Sequence, residues 1–551
     1  RGRGLLPPPC AHIMGNLVDK LMGNFTSRPQ RSAAPTFDRL DAAVPNVAAV
    51  PNVAAAAAAV PTVAVVPGVP VVPGIVPGPT TETGGEQVTL RATAERGALA
   101  SDAPHKLLAM LSVKAPAAAG AARPPMDVVC CIDKSGSMHG EKMKLMKQTL
   151  ELLVKRTGLT ADDRIALVCF DSGVTLELPL AEMGADGRAN AARVVKAVRP
   201  GSTTNLSGGA LKAVDVLHNN GAAAGNGKRT RAVMLFTDGL ANEGIRDTVK
   251  LVGAVRGALA AASKACGGEI SLFTFGFGAD HDENCLRALA SCQGSGQYYY
   301  VQTAEDIPSA FADCLGGLTS IVAQNATLSI EATGAGASVS RVLGAYARES
   351  SGALALGDLF ADDEKDVLVE LALPKLAAPA AAPAAVLRAT LRAFNVARSA
   401  PDVVDVELSV SRPLHEPAGQ PVDIALDEQR NRVETAEAME EAARLADTGD
   451  VAAGRKVLSG MRARIAESAS ARRALSTNLT HECMQLEGAY RDVREYRSVG
   501  SKMTKMQMMS HQKQRTSHMS AQGTYASAAK RKASLKSHWM SSINAAGSDS
   551  E

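Results

Sequence analysis

Three short segments hold the residue types that can do chemistry. Asp133-Lys134-Ser135-Gly136-Ser137 closes the apolar run Met126–Ile132. The loop Gly201-Ser202-Thr203-Thr204-Asn205 leads into a helical pattern, and Asp238 closes a second apolar run in the phrase Phe236-Thr237-Asp238-Gly239. Together they offer carboxylates and hydroxyls and no sulfur or imidazole. An all-oxygen set suits a hard divalent cation, Mg2+ or Mn2+, and disfavours zinc.

The elements that must position these residues follow from periodicity. Met126–Ile132, Ile165–Phe170, Ala232–Phe236 and Ile270–Phe277 are apolar without alternation, as expected of strands buried on both faces. Between them run helical i, i+3, i+4 patterns: Lys142-Leu145-Met146-Thr149-Leu150-Leu153, Leu206-Ala210-Leu211-Val214 and Ile307-Ala310-Phe311-Cys314-Leu318. Strands alternating with helices predict an α/β fold, a doubly wound and mostly parallel sheet over residues 124–322. In such a sheet the ligand crevice lies outside the carboxyl ends of the strands. The Asp133 loop and Asp238 both fall at such ends, and the three loops can converge at one edge.

Strand signals flank this domain on both sides. Val88-Leu90-Ala92 and Lys106–Leu111 precede it, within 86–118. Ala326–Ile330, Ala355–Asp358, Asp366–Leu373 and Val386–Phe394 follow within 323–412, with an Ala/Pro spacer at 377–385. Two strands alone do not make a stable sheet. The α/β domain is therefore expected to be inserted into a β-sandwich. A small helical region follows at 423–498, with Val433-Ala436-Met439-Ala443-Ala446 on one face, Asp450 as a cap, and Val457-Met461-Ile465 on the next helix. The Ala/Pro/Val-rich arm 1–85 and the basic Ser/Met-rich tail 499–551 read as disordered.

The order and spacing of the three segments resemble the metal-ion-dependent adhesion site of von Willebrand factor type A (VWA) domains, Asp-x-Ser-x-Ser, then Thr, then Asp. The resemblance implies a Rossmann-like fold in which Ser135 and Ser137 bind the metal directly and Thr204 joins them when ligand is bound. Thr204 is preferred to Thr203 because the family's phrase is Gly-x-Thr-Asn. Asp133 and Asp238 then act largely through water. Lys134 takes the variable position, which puts a cation near the metal. A metal held by neutral hydroxyls keeps most of its charge, so an Asp or Glu of a protein partner would complete its coordination. Further on, Leu356-Gly357-Asp358-Leu359 and Glu364–Leu371 look like the β segment that follows this module in plant, protist and bacterial proteins. Tyr490, Tyr496 and Ser510-His511-Gln512 look like the intein-associated region of that group, some of whose members act in ubiquitin transfer.

Other readings are weaker. Lys plus Arg (59) nearly balance Asp plus Glu (56), so no global field draws the chain to nucleic acid. Pro45, Pro51, Pro61, Pro67, Pro70 and Pro73 break the apolar stretch 43–76, which is no membrane span. Gly225-Asn226-Gly227-Lys228 is followed by Arg229 where a phosphate loop needs Ser or Thr. His481 and Cys483 point to different sides of a helix and make no nucleophilic pair. Cys130, Cys131 and Cys169 lie in apolar runs, as in a reducing compartment. The expectation is a cytoplasmic, metal-dependent scaffold or adaptor and not an enzyme. The alternatives are a secreted or cell-surface adhesion protein and a ubiquitin-pathway recruiting factor; a chelatase-type subunit would need an ATPase partner that nothing here names.

Overall fold

Continuous apolar strands need cover on both faces, and the chain supplies it. The computed structural model describes residues 87–117, 123–156, 159–221, 229–293, 295–334, 336–516 and 525. The arm 1–85 and the Gly225–Lys228 loop lie outside them, as does the chain beyond 516 apart from Tyr525. After β1 (Thr89–Ala94) and β2 (His105–Lys114) comes β3 (Met126–Asp133), which is buried throughout. A 3-10 turn, Gly136–Met138, leads to α1 (Glu141–Arg156). Then come β4 (Arg164–Phe170), β5 (Val174–Glu182), α2 (Ala185–Ala197), α3 (Leu206–Gly221) and β6 (Thr230–Thr237). The domain ends with α4 (Thr248–Cys266), β7 (Ile270–Phe277), α5 (Glu283–Ala290), β8 (Tyr298–Val301) and α6 (Ile307–Leu318).

The strands stand in the order β5-β4-β3-β6-β7-β8, parallel except for β5 at the edge. The chain leaves β3 toward β4 and returns on the other side at β6, so the sheet changes direction between β3 and β6. A crevice opens at the carboxyl ends of that pair. Met146 and Leu150 of α1 and Phe311 and Leu315 of α6 share a core with Ile132, Met234, Phe236 and Phe275. Phe236 stacks on Phe275 with ring centroids 4.4 Å apart. Burying each such side chain contributes about 2 kcal/mol, which fixes the strand ends that carry the site.

The sandwich is completed by β9 (Ile321–Ala332), β10 (Ser338–Leu343), the short β11 (Ala347–Arg348), β12 (Leu354–Phe360), β13 (Glu364–Leu373), β14 (Ala380–Asn395) and β15 (Ala400–Arg412). One sheet runs β1-β2-β13-β10 and the other β11-β12-β9-β14-β15. β2 pairs antiparallel with β13 from Lys114 opposite Glu364 to His105 opposite Leu373, so the strands before and after the α/β domain are zipped together. The inner faces meet through Leu107, Leu111, Val367, Leu371, Leu391 and Val410. The supposed Ala/Pro spacer is corrected: β14 begins at Ala380. Pro383 is tolerated because the register with β15 slips between Ala380 and Ala384, where no donor is needed.

Helices α7 (Ile424–Asp447), α8 (Val451–Glu467), α9 (Ala474–Ala489) and α10 (Ser501–Lys513) follow, with a short helical passage over 493–500 ahead of the last. Asp450 caps α8 by accepting from the Ala453 amide at 2.9 Å. The expected disordered tail is corrected over 501–513, which is helical and mostly buried. The sulfurs of Met506 and Met509 approach the backbone nitrogens of Tyr300 and Tyr298 at 3.4 Å, covering the open edge of β8. Lys505 reaches Glu283 at 3.2 Å, and Ser501 donates to the same carboxylate. Burial alone would raise the Glu283 carboxyl, but the Ser501 hydrogen bond and the Lys505 and Lys502 ammoniums outweigh it and hold it at about 2. Among the described residues, no helix is long and apolar enough to cross a membrane.

Candidate metal centre

Asp133 is the last residue of β3 and is fully buried. Its Oδ1 accepts from the Ser135 amide at 2.8 Å, so the turn that follows the strand wraps the carboxylate. Its Oδ2 accepts from the Thr237 hydroxyl at 2.5 Å, tying it to the end of β6. The first loop is stitched to the second by main-chain bonds: the Gly136 amide donates to Ser202 and the Gly201 amide to Lys134, at 2.8 and 2.5 Å. A Cβ at Gly201 would stand 1.8 Å from Asp171 Oδ2, so only glycine allows this approach. The second loop is held to the third by Thr204, whose amide donates to Asn242 Oδ1 at 2.7 Å and whose carbonyl accepts from the Asn242 amide at 3.1 Å. Asn205 then accepts from the Gly208 amide at 2.9 Å, which starts α3 immediately after Thr204.

This scaffold brings together all five side chains singled out in the sequence. Ser135 Oγ lies 3.1 Å from Ser137 Oγ, and Ser137 Oγ donates to Asp238 Oδ1 at 2.7 Å. A Cβ on Gly239 would sit 3.5 Å from Thr204 Oγ1 and 3.7 Å from Ser137 Oγ, so the Thr204 hydroxyl faces the cluster. Thr203 turns away toward Glu243 at 3.4 Å. Asp133, Ser135, Thr204 and Asp238 are buried, while Ser137 is exposed and opens the cluster to solvent.

Three participants escaped the sequence reading. Thr237 and Asn242 are recognisable only as neighbours of Asp238 in the chain. Lys142 looked like part of the apolar face of α1, yet its Nζ donates to Asp238 Oδ2 at 2.6 Å. Lys134, expected to put its charge near the metal, is directed instead at Asp171, 4.0 Å away.

The electrostatics of the cluster are unbalanced. Burial pushes the Asp133 carboxyl up to about 6, hydrogen bonds from Thr237 and Ser135 pull it back in part, and the charge of Asp238 raises it again. Among the described residues no group of three or more His, Cys, Asp or Glu side chains could hold a metal. A cation here would therefore depend on the hydroxyls. The donor set fits a hard divalent ion: neutral oxygens close together, with two buried carboxylates behind them.

A family model described as the von Willebrand factor type A domain matches residues 127–313, which carry β3 to β8 and all five side chains. That segment is a von Willebrand factor type A domain. A VWA protein from Catenulispora acidiphila superposes with a TM-score of 0.56 at 14% identity, over 77% of this chain and 99% of that one. The ArnB paralog VWA2 from Sulfolobus acidocaldarius superposes at 0.51 and 17% identity, over 76% and 99%. Both likenesses show the fold, and they extend well past the VWA domain itself. Among curated proteins, E3 ubiquitin-protein ligase WAV3 of Arabidopsis thaliana is 29% identical over 276 residues, 47% of this chain and 32% of that protein. Inter-alpha-trypsin inhibitor heavy chain H1 of Sus scrofa is 32% identical over 167 residues, 30% of this chain and 17% of that protein. The chain thus spans a third or less of the length of these relatives. VWA domains are interaction modules, so the coarse function of this segment is protein binding.

Proposed function

We propose that this chain is a metal-dependent binding protein whose VWA domain captures an Asp or Glu on a protein partner. Ser135, Ser137 and Thr204 hold Mg2+ or Mn2+ directly, and Asp133 and Asp238 hold it through water. The bound ion supplies the positive charge that the partner's carboxylate completes. The observation that carries the reading is the contact of Ser135, Ser137 and Asp238 beside a buried Asp133 that has only neutral partners. The exposed Ser137 marks the side from which a partner approaches. The chain acts by binding and not by catalysis. Buried free thiols at Cys130, Cys131 and Cys169 support a reducing, cytoplasmic setting. Similarity to a ubiquitin ligase supports a second reading, in which the captured protein is delivered to ubiquitin transfer.

The test is calorimetric titration of Mg2+ and of Mn2+ into the full chain, wild type beside Asp133→Ala. Wild type should show saturable one-site binding, and the variant binding about 100-fold weaker with unchanged circular dichroism. Equal affinity in the two proteins, or a silent wild type, would overturn the proposal.

A further inference from the structure

Asp133 and Asp238 stand at strand ends that the sheet itself fixes, whereas Thr204 stands in a loop just ahead of α3. Its main chain is placed by hydrogen bonds. The Thr204 amide donates to Asn242 Oδ1 at 2.7 Å, and the Thr204 carbonyl accepts from the Asn242 amide at 3.1 Å and the Glu243 amide at 3.2 Å. Both polar groups of the Thr204 main chain are thus held by the stretch that follows Asp238, and one residue, Asn242, holds both. The positions on either side are tied elsewhere: the Gly201 amide donates to the Lys134 carbonyl at 2.5 Å and the Asn205 amide to the Asp171 carbonyl at 2.7 Å.

The side chain is left to other work. A Cβ on Gly239 would lie 3.5 Å from Thr204 Oγ1 and 3.7 Å from Ser137 Oγ, so the hydroxyl faces the cluster. A threonine is stiff about χ1, and fixing its main chain therefore aims its hydroxyl. Only Asn and Asp offer a carbonyl-type oxygen on so short a side chain, which is what the Thr204 amide requires at position 242. Asn242 is itself exposed, so its replacement opens no cavity in the core. The same stretch is fastened a second time without touching Thr204. The Ile245 amide donates to Ser207 Oγ at 2.9 Å, and Gly244, at φ +70°, permits the approach, since a Cβ there would stand 2.3 Å from Ser207 Oγ.

We propose that Asn242 is a positioning residue of the metal site. It holds the Thr204 main chain at both ends, presents the Thr204 hydroxyl beside Ser137, and acts on the metal through Thr204 alone. The inference rests on the metal reading above and adds to it a residue outside the five side chains that surround the ion.

Mn2+ is titrated by calorimetry into the full chain in acetate buffer, whose carboxylate stands for the partner's. Wild type and Asp133→Ala are compared with Asn242→Ala, Asn242→Asp, Ser207→Ala, Thr204→Val and the double variant Asn242→Ala with Thr204→Val. Asn242→Ala should bind about tenfold more weakly than wild type. Asn242→Asp keeps the acceptor oxygen and adds a negative charge, and should bind at least as tightly as wild type. Ser207→Ala loosens the same stretch elsewhere, and should lose Tm while keeping wild-type affinity. The double variant should bind no more weakly than Thr204→Val alone, because the aim of a hydroxyl that is gone no longer matters. Wild-type affinity in Asn242→Ala, with Asp133→Ala still impaired, would overturn the positioning role and leave the metal site standing. So would Asn242→Asp or Ser207→Ala as weak as Asn242→Ala, or a double variant weaker than Thr204→Val. A wild type that binds no Mn2+ would overturn the metal reading and this inference with it.

Discussion

Asp127 and Asp133 lie at opposite ends of β3, and both are fully buried. At the amino end, Asp127 receives Arg164 through two nitrogens at 2.8 and 2.7 Å and Arg229 at 2.8 Å, with Arg231 at 3.7 Å. Donating to the Asp127 carboxylate raises the Arg164 guanidinium above its usual range. At the carboxyl end, Asp133 has a hydroxyl and an amide and no cation of its own, and it is pushed up to about 6. The same residue type on the same strand has two fates. Where the chain needs a charge for its own structure, it supplies the arginines; Asp133, proposed to face a cation from outside, receives only neutral donors.

The sharpest way to break this comparison is Asp127→Ala. Removing it strands the buried Arg231 and the partly buried Arg164 and Arg229, and breaking a buried ion cluster on one side costs about 3–5 kcal/mol. Urea melts should show that loss, while the protein that remains folded keeps its affinity for Mg2+. Stability equal to wild type would mean that the two ends of β3 do not differ in the way described.

The two ends also differed in how far the sequence revealed them. The carboxyl end was legible because its residues are contiguous with strong strand signals: Asp133 and Ser135 with Ser137 at the end of β3, Asp238 at the end of β6, Thr204 ahead of α3. Topology alone then brings them together. The cluster at Asp127 was not legible, since Arg164 and Arg229 carry no local mark of their partner; Arg229 was weighed only as the wrong residue in a phosphate loop. The buried tail hid for the same reason. Lys502 and Lys505 read as solvated charges, but their partner Glu283 lies more than two hundred positions earlier. Long-range ion pairs leave no periodicity to read, whereas strand ends do.

A gentler probe replaces the metal with a proton. Asp133 titrates near 6 in the fold against an ordinary 3.8. A carboxyl raised in this way contributes its stability fully below the ordinary value and loses it as pH rises through about 6. In EDTA, Asp133→Asn should therefore be more stable than wild type by about 3 kcal/mol above that pH, and the gap should narrow as pH falls below about 6 and close only near the ordinary value of 3.8. Adding Mg2+ should stabilise wild type and leave the variant unmoved. A gap that stays flat across this range would show that Asp133 already has the counterion it is said to lack.

The smallest expected effect belongs to Lys142, the cation bonded to Asp238 at this end. Its side chain is about a third exposed, and its ammonium holds one oxygen of Asp238 at 2.6 Å. If the carboxyl end is built to receive an external cation, this tethered ammonium competes with it, by occupying Asp238 and by repelling the arriving charge. Lys142→Met should then bind Mg2+ about fivefold more tightly, while stability in EDTA falls by no more than about 1 kcal/mol because the ammonium is partly solvated. The sign decides the matter. Weaker metal binding in Lys142→Met would mean that the lysine orients Asp238 for its task, which would make it an internal partner of the kind Arg164 provides for Asp127.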